Sequence, residues 1–128
     1  MVKGALLDRH IEAGATLVNE LDRRGEHVSS ALWYYYPDAE QWRLLLASPS
    51  FDAKGSRQAY ADLSRLLTEL GTAVEGISFD DIKLVLGNDH LVPVLKKIIR
   101  AKGLNKIRMS ANRFNGVYVD DMLLYRNE

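Results

Sequence analysis

Residues 106–125 have the sequence KIRMSANRFNGVYVDDMLLY. The Asn-Gly pair at 115–116 is the strongest short signal for a β-hairpin, because both central residues of a type I′ turn need a positive φ angle. If this pair forms the turn, the facing residues are Phe114 and Val117, Met109 and Met122, and Ile107 and Leu124. A longer loop over 110–115 remains an alternative and would shift the whole register.

Alternation of side chains gives the predicted hairpin two different faces. One face is apolar and is expected to face the core: Ile107, Met109, Met122 and Leu124. The other mixes basic, amide and aromatic groups: Lys106, Arg108, Ser110, Asn112, Phe114, Val119, Asp121 and Tyr125. This mixture is typical of surfaces that bind phosphate backbones and unstacked bases. A diagonal pair of Arg108 with Asp121 would instead make it an ordinary solvated exterior.

Periodicity divides the rest of the chain into six further elements. Helices are predicted at 5–24, at 56–70 and from about residue 89 to Gly103, and strands at 28–36, 41–48 and 79–86. The order α-β-β-α-β-α-β-β, with two hairpins, favours a mostly antiparallel sheet with helices packed on it. We therefore predict one α+β domain over residues 1–128, with three helices and five strands. One continuous core is expected to contain Trp42, Leu44, Leu46, Leu84, Leu86, Ile107, Met109, Met122 and Leu124.

The first predicted hairpin contains two runs without polar alternation. They are Trp33-Tyr34-Tyr35-Tyr36 and Leu44-Leu45-Leu46. Both sheet faces need cover at such positions. Helices on both faces would make all four aromatic residues part of the core. Helices on one face would leave one aromatic pair for a two-fold contact between subunits, and tyrosines suit a partly wet interface. This second interpretation predicts a homodimer whose interface includes residues from Trp33, Tyr34, Tyr35 and Tyr36.

Basic and acidic side chains are unevenly distributed. The chain has 17 of each, but residues 1–90 carry a net charge of −5 and residues 91–128 a net charge of +5. The third helix and the last hairpin are therefore expected to form one positive surface for an anionic partner. Its candidate binding residues are Lys96, Lys97, Arg100, Lys106, Arg108, Arg113 and Phe114, with Phe114 as a stacking platform. A charge run of this kind is more often a solvated face, which is the favoured interpretation.

Arrangements typical of catalysis are poorly represented in the sequence. Without Cys there is no thiolate nucleophile and no cysteine zinc site. The three histidines, His10, His27 and His90, lack the i, i+4 spacing of helical metal ligands. His10 lies on the apolar face of the first helix and is expected to be buried and hydrogen-bonded. The chain also contains no glycine-rich phosphate loop and no G-x-S-x-G elbow.

One pattern resembles a family of divalent-metal nucleases. Pro37-Asp38 followed by Asp81-Ile82-Lys83 resembles the PD-(D/E)xK signature, in which carboxylates hold magnesium and the lysine orients a water. In that family the two halves lie on neighbouring strands with no helix between them. Here Asp38 falls in a predicted turn and a helix precedes Asp81, so a nuclease is a remote alternative.

These features predict a small cytoplasmic binding or interaction module without enzyme activity or cofactor. Apolar residues make up 47 % and charged residues 27 % of the chain, as in globular domains rather than disordered or membrane proteins. No apolar run approaches the roughly 18–20 residues that cross a bilayer, so no membrane partner is expected. The expected partner is a second copy of the chain. The alternative function is binding of nucleic acid or another polyanion.

Overall fold

The computed structural model describes residues 5–128. Helix α1 (Asp8–Arg23) precedes strands β1 (Ser30–Tyr36) and β2 (Gln41–Ala47). Next come helices α2 (Pro49–Lys54) and α3 (Ser56–Leu70) and strand β3 (Ile82–Leu84). The last elements are α4 (Val92–Lys97), β4 (Ile107–Phe114) and β5 (Val117–Asn127). Two short 3₁₀ helices cover Gly71–Val74 and Phe79–Asp81.

The five strands form one sheet in the order β3-β2-β1-β5-β4. Neighbouring strands are antiparallel except β2 and β3, which are parallel and are connected through α2 and α3. The predicted α+β class and the mostly antiparallel five-stranded sheet are confirmed. The longest helix in residues 5–128 has 16 residues, and no helix in this range is long and apolar enough to cross a membrane.

The last hairpin has the predicted turn and register. Asn115 and Gly116 have φ angles of +47° and +86°, as a two-residue type I′ turn requires. All three facing pairs named above are present. The alternation nevertheless changes at Ala111, which has a φ of +46°. Beyond it Phe114 packs on the same side as Ile107 and Met109, so its prediction on the opposite face is wrong.

The sheet separates two apolar clusters rather than one continuous core. The first core lies on the side of α1 and α3 and includes Leu17, Trp33 and Leu44. The second core lies on the side of α4 and includes Leu95 and Leu124. Of the residues expected in one core, the first contains or contacts Trp42, Leu44, Leu46, Leu84 and Leu86, and the second Ile107, Met109, Met122 and Leu124.

The aromatic run of β1 is covered on both sides of the sheet. Trp33 and Tyr35 are only 2 % and 3 % exposed. Tyr34 and Tyr36 are half-buried, pack against the second core, and have ring centroids 5.2 Å apart. These positions therefore fit the interpretation in which the aromatic run of β1 belongs to the core. No large aromatic patch is left on β1 for a two-fold contact.

The helices differ from the prediction at two places. An extra helix, α2, starts after Ser48, whose side-chain oxygen accepts a hydrogen bond from the Ser50 N–H, with Pro49 at the first helical position. The predicted third helix is shorter, since α4 ends at Lys97 and Arg100 lies outside it. The Asn127 side-chain amide donates to the Leu95 carbonyl in the last turn of α4 and to the Ile99 carbonyl just after the helix.

A close approach joins α1 to the centre of the sheet. Trp33 Nε1 donates to the Tyr125 hydroxyl at 2.9 Å, and that hydroxyl donates to the Ile11 carbonyl at 2.6 Å. Gly14 lies directly above, where a Cβ atom would be 2.3 Å from the Tyr125 oxygen. The glycine thus permits the helix to pack against this buried hydrogen-bonded pair.

The buried guanidinium of Arg126 connects three separate segments. It donates to the carbonyls of Gly103 and Val28 at 2.6 and 2.8 Å. It also forms an ion pair with Asp22 on α1 at 2.9 Å. Asp22 accepts a further hydrogen bond from the Val28 N–H at 3.0 Å. Arg126 therefore fixes the end of β5 to α1 and to the loop before β4.

Candidate functional site

The predicted basic surface is divided between the two sides of the sheet. Lys106 forms an ion pair of 2.6 Å with Glu12 of α1, and Arg108 lies over Trp42, a residue of the first-core side. Lys96 and Lys97 belong to α4, which covers the second core. The structure therefore does not place the helix and hairpin cations on one continuous surface.

Arg108 is held by contacts within the fold. Its guanidinium donates two hydrogen bonds of 2.8 Å to the carboxylate of Asp121, which is 4 % exposed. The Ser110 hydroxyl donates to the same carboxylate at 2.9 Å. Hydrogen bonding to Asp121 raises the pKa of Arg108 above its ordinary value. The diagonal pair anticipated from the register is present, and it accounts for Arg108 without an external ligand.

The Arg108 guanidinium also lies over the Trp42 ring of β2. Its central carbon lies 5.3 Å from the centroid of the Trp42 ring. Trp42 in turn packs against Tyr35, with centroids 5.4 Å apart. A cation over the face of a Trp ring is an attractive contact. Removing Arg108 would therefore disturb packing as well as charge.

Four basic side chains in residues 91–128 have neither an ion pair nor a side-chain hydrogen bond to a described residue. They are Lys96, Lys97, Lys102 and Arg113. All four are exposed. Arg100 is different, because it donates to the main-chain oxygen of Glu128. The four unpaired side chains contribute positive charge that no described carboxylate offsets by direct contact.

The turn of the last hairpin lies against the end of α4, which carries two of these lysines. The Asn115 side-chain amide donates to the Lys97 carbonyl at 3.0 Å and so fixes the turn against the end of α4. Two residues before the turn, the Arg113 guanidinium lies 5.9 Å from the ring centroid of Tyr118. Tyr118 is 52 % exposed, the most exposed large hydrophobic side chain of the described residues. We refer to Lys96, Lys97, Arg113 and Tyr118 as the tip surface.

Tyr118 is a candidate residue that the sequence reasoning missed. The predicted stacking platform was Phe114, but its ring is half-buried against the second core. The signal for Tyr118 was present, since a turn at 115–116 places residue 118 opposite Arg113, as observed. The alternation change at Ala111 exposes the one ring and buries the other.

A cleft next to α4 is lined by Arg100 and also by Lys96 of the tip surface. It has a volume of about 270 Å³ and is lined in part by Ser48, Lys96 and Arg100. Asp52 and Glu128 also line it. Because acidic and basic groups are mixed there, the cleft is a poor match for a polyanion.

The histidines and the nuclease-like pattern have ordinary structural positions. His10 Nδ1 accepts a hydrogen bond from the Leu7 N–H at 3.0 Å, and His27 Nε2 lies 2.7 Å from a Glu128 carboxylate oxygen. Asp38 lies in the turn between β1 and β2, and Asp81 accepts a hydrogen bond from the Ser78 N–H. Within residues 5–128, no three His, Asp or Glu side chains are grouped to hold a metal ion.

Comparisons of the chain with protein-family models, with curated proteins and with solved structures found no match.

Proposed function

We propose that this domain is an interaction module that binds single-stranded nucleic acid through the tip surface. The observation that carries the proposal is the exposed Tyr118 ring beside the unpaired Arg113 guanidinium at the end of one hairpin. Asn115 fixes the turn of that hairpin to the end of α4, which carries the exposed Lys96 and Lys97. Phosphates favour the cations, and an unpaired base can stack on Tyr118. Arg113, next to the ring, supports both contacts.

Some of the predicted basic side chains have carboxylate partners and others do not. This difference favours the tip surface over the rest of the predicted basic residues. Lys106 and Arg108 already have carboxylate partners in Glu12 and Asp121. A phosphate that took Arg108 would leave the buried Asp121 carboxylate uncompensated, which offsets much of the gain. The exposed pair of Lys106 with Glu12 opposes binding only weakly. Lys96, Lys97 and Arg113 incur no such loss.

Self-association through the aromatic run is not favoured by the same geometry. Trp33 and Tyr35 would have to leave their buried positions to reach a second copy. Pairing of two β4 edges would oppose strands that contain Arg108 and Arg113 and no acidic residue, and like charges across strands are destabilising. We therefore propose that the nucleic-acid-binding form is a monomer.

Salt dependence gives the first test. Binding of a fluorescent single-stranded oligonucleotide should weaken as salt rises, with a log–log slope of about −0.7 for each phosphate contact. The double variant Lys97→Gln/Arg113→Gln removes two contacts and should reduce the magnitude of the slope by about 1.4. Fluorescence anisotropy between about 50 and 200 mM salt measures both quantities.

The chain offers matched controls for this experiment. Arg57→Gln removes one charge from an exposed position of α3 and should leave the slope unchanged. Tyr118→Ala should weaken single-strand binding by about 1–3 kcal/mol and affect duplex binding less. The proposal is wrong if the wild-type protein binds neither single-stranded DNA nor RNA at about 50 mM salt, or if Arg57→Gln has the same effect as the tip variants. Sedimentation of a stable dimer at tens of micromolar would overturn the monomeric form.

A further inference from the structure

A second cavity lies at the other end of the sheet, beside the edge strand β3. It has a volume of about 450 Å³ and is lined by Tyr36, Arg43, Tyr60, Ile82, Lys83 and His90. No acidic side chain is among its lining residues. Two of its basic groups, Arg43 and Lys83, come from the part of the chain with a net negative charge, so the charge distribution along the sequence gives no sign of this cavity.

The Tyr36 hydroxyl is the unusual group in this cavity. It is the buried side-chain polar atom that has no hydrogen-bond partner within residues 5–128. Burial, the main cause, raises the pKa of Tyr36 to about 12, so the group is a neutral O–H donor near pH 7. Buried hydroxyls normally have a partner, and an unpaired one calls for an explanation such as a bound ligand or ion.

The other donors are positioned by the fold and retain free capacity. Arg43 donates to the Asp80 carbonyl at 2.8 Å and to the Gln41 side chain at 3.4 Å, which leaves further guanidinium N–H groups. The Tyr60 oxygen accepts a hydrogen bond from the Leu84 N–H at 2.9 Å, and its own proton remains available for donation. The cavity therefore has donors on both of its tyrosine walls.

The nearby carboxylates are engaged with other groups. Asp81 accepts a hydrogen bond from the Ser78 N–H. Asp89 accepts one from the Leu91 N–H at 2.9 Å and lies 3.5 Å from Lys83. This last contact is long for a charge-assisted hydrogen bond. Lys83 is thereby held near the cavity and can still contact a ligand.

We propose that this cavity, the β3-edge pocket, binds a phosphate group, either free or as a small monoester. A tetrahedral phosphate has three or four acceptor oxygens that point in different directions. Arg43, Lys83, Tyr36 and Tyr60 come from four different elements and together line the pocket. The Tyr36 hydroxyl gains the partner that it lacks in the unliganded chain.

An NMR titration of the ¹⁵N-labelled protein tests this proposal. The probes are inorganic phosphate and phenyl phosphate, with acetate as a planar anion for comparison. Saturable shifts are expected at the amides of Tyr36, Arg43 and Lys83 with at least one phosphate probe. Saturation by both indicates recognition of phosphate itself, and saturation by phenyl phosphate alone indicates a monoester ligand.

Tyr36→Phe is the decisive variant, because it removes an O–H group that has no hydrogen-bond partner among the protein atoms of residues 5–128. The dissociation constant for the phosphate probe should rise about tenfold or more, while the melting temperature should not fall. Tyr34→Phe is the matched control, since Tyr34 packs beside Tyr36 but does not line the pocket, and it should bind like the wild type.

Three results would overturn the proposal: no saturable shift with either phosphate probe, equal affinity in Tyr36→Phe and the wild type, or acetate binding as tightly as phosphate. The outcome is independent of the tip surface, because Tyr36→Phe should leave oligonucleotide binding unchanged. Lys83→Gln supplies a second variant and should weaken phosphate binding in the same direction as Tyr36→Phe.

Discussion

Replacing Arg126 by Met should destabilise the fold by about 3–5 kcal/mol, because the change breaks a buried ion pair and leaves its partner uncompensated. The Arg126 side chain is 7 % exposed, and Asp22 is only partly exposed. The Val28 and Gly103 carbonyls lose a donor at the same time. Urea unfolding followed by circular dichroism near pH 7 measures the free energy of unfolding.

Asp22→Asn and acid titration separate the ion pair from packing. Burial alone would raise the pKa of Asp22, but hydrogen bonds from Arg126 and from the Val28 N–H outweigh it and lower the pKa below the ordinary value. The stabilisation of the folded state by the ionised Asp22 carboxylate is therefore complete above the unfolded-state pKa of about 3.9. It is lost as the pH falls through the lower folded-state pKa. Asp22→Asn should flatten this part of the stability profile.

An exposed ion pair provides the matched control for Arg126. Arg65 pairs with Asp62 on α3 and has a side chain that is 65 % exposed. Arg65→Met should cost about 1 kcal/mol or less, as surface pairs do. A similar small loss for Arg126→Met would show that the buried contacts do not hold the end of β5 in place.

Gly14→Ala should destabilise the protein by about 2–3 kcal/mol, although alanine is the better helix former. In an exposed helix interior the same substitution would raise the free energy of unfolding by about 1 kcal/mol. Here the new methyl group would meet the Tyr125 oxygen at 2.3 Å and Trp33 Nε1 at 3.0 Å. Both atoms are buried and hydrogen-bonded, so the helix must move away, and overpacking of this kind costs about 1–3 kcal/mol before any hydrogen bond is lost.

Asn19→Ala on the same helix isolates the steric effect of that substitution. Asn19 is exposed on α1, so alanine there should leave stability unchanged or raise it slightly. Thermal and urea unfolding of the two variants are compared directly. Stabilisation by Gly14→Ala would mean that α1 does not approach Tyr125 closely.

Local rules predicted the last hairpin accurately. The turn depends only on Asn115 and Gly116, and the register follows from it without reference to the rest of the fold. The side to which Phe114 points could not be read in this way, because the positive φ of Ala111 reverses the alternation. Alanine has no sequence signal for that conformation.

The candidate sites depended on contacts that no local pattern contains. Lys106 is paired with Glu12, 94 positions earlier in the chain, a contact that no local pattern indicates. The β3-edge pocket combines residues from β1, β2, α3, β3 and the segment before α4. Only the packed fold shows that they surround one space.

The position of β5 between β1 and β4 has a consequence for the order of events during synthesis. β1 pairs with β5 across about 90 residues of intervening chain, and such distant pairing is slow because a long loop must close first. A nascent chain that stops before residue 117 leaves the aromatic strand β1 with an unpaired edge, a state open to aggregation. Ribosome-bound chains of that length should be protease-sensitive, whereas chains in which residue 127 has left the exit tunnel should become resistant in one cooperative step.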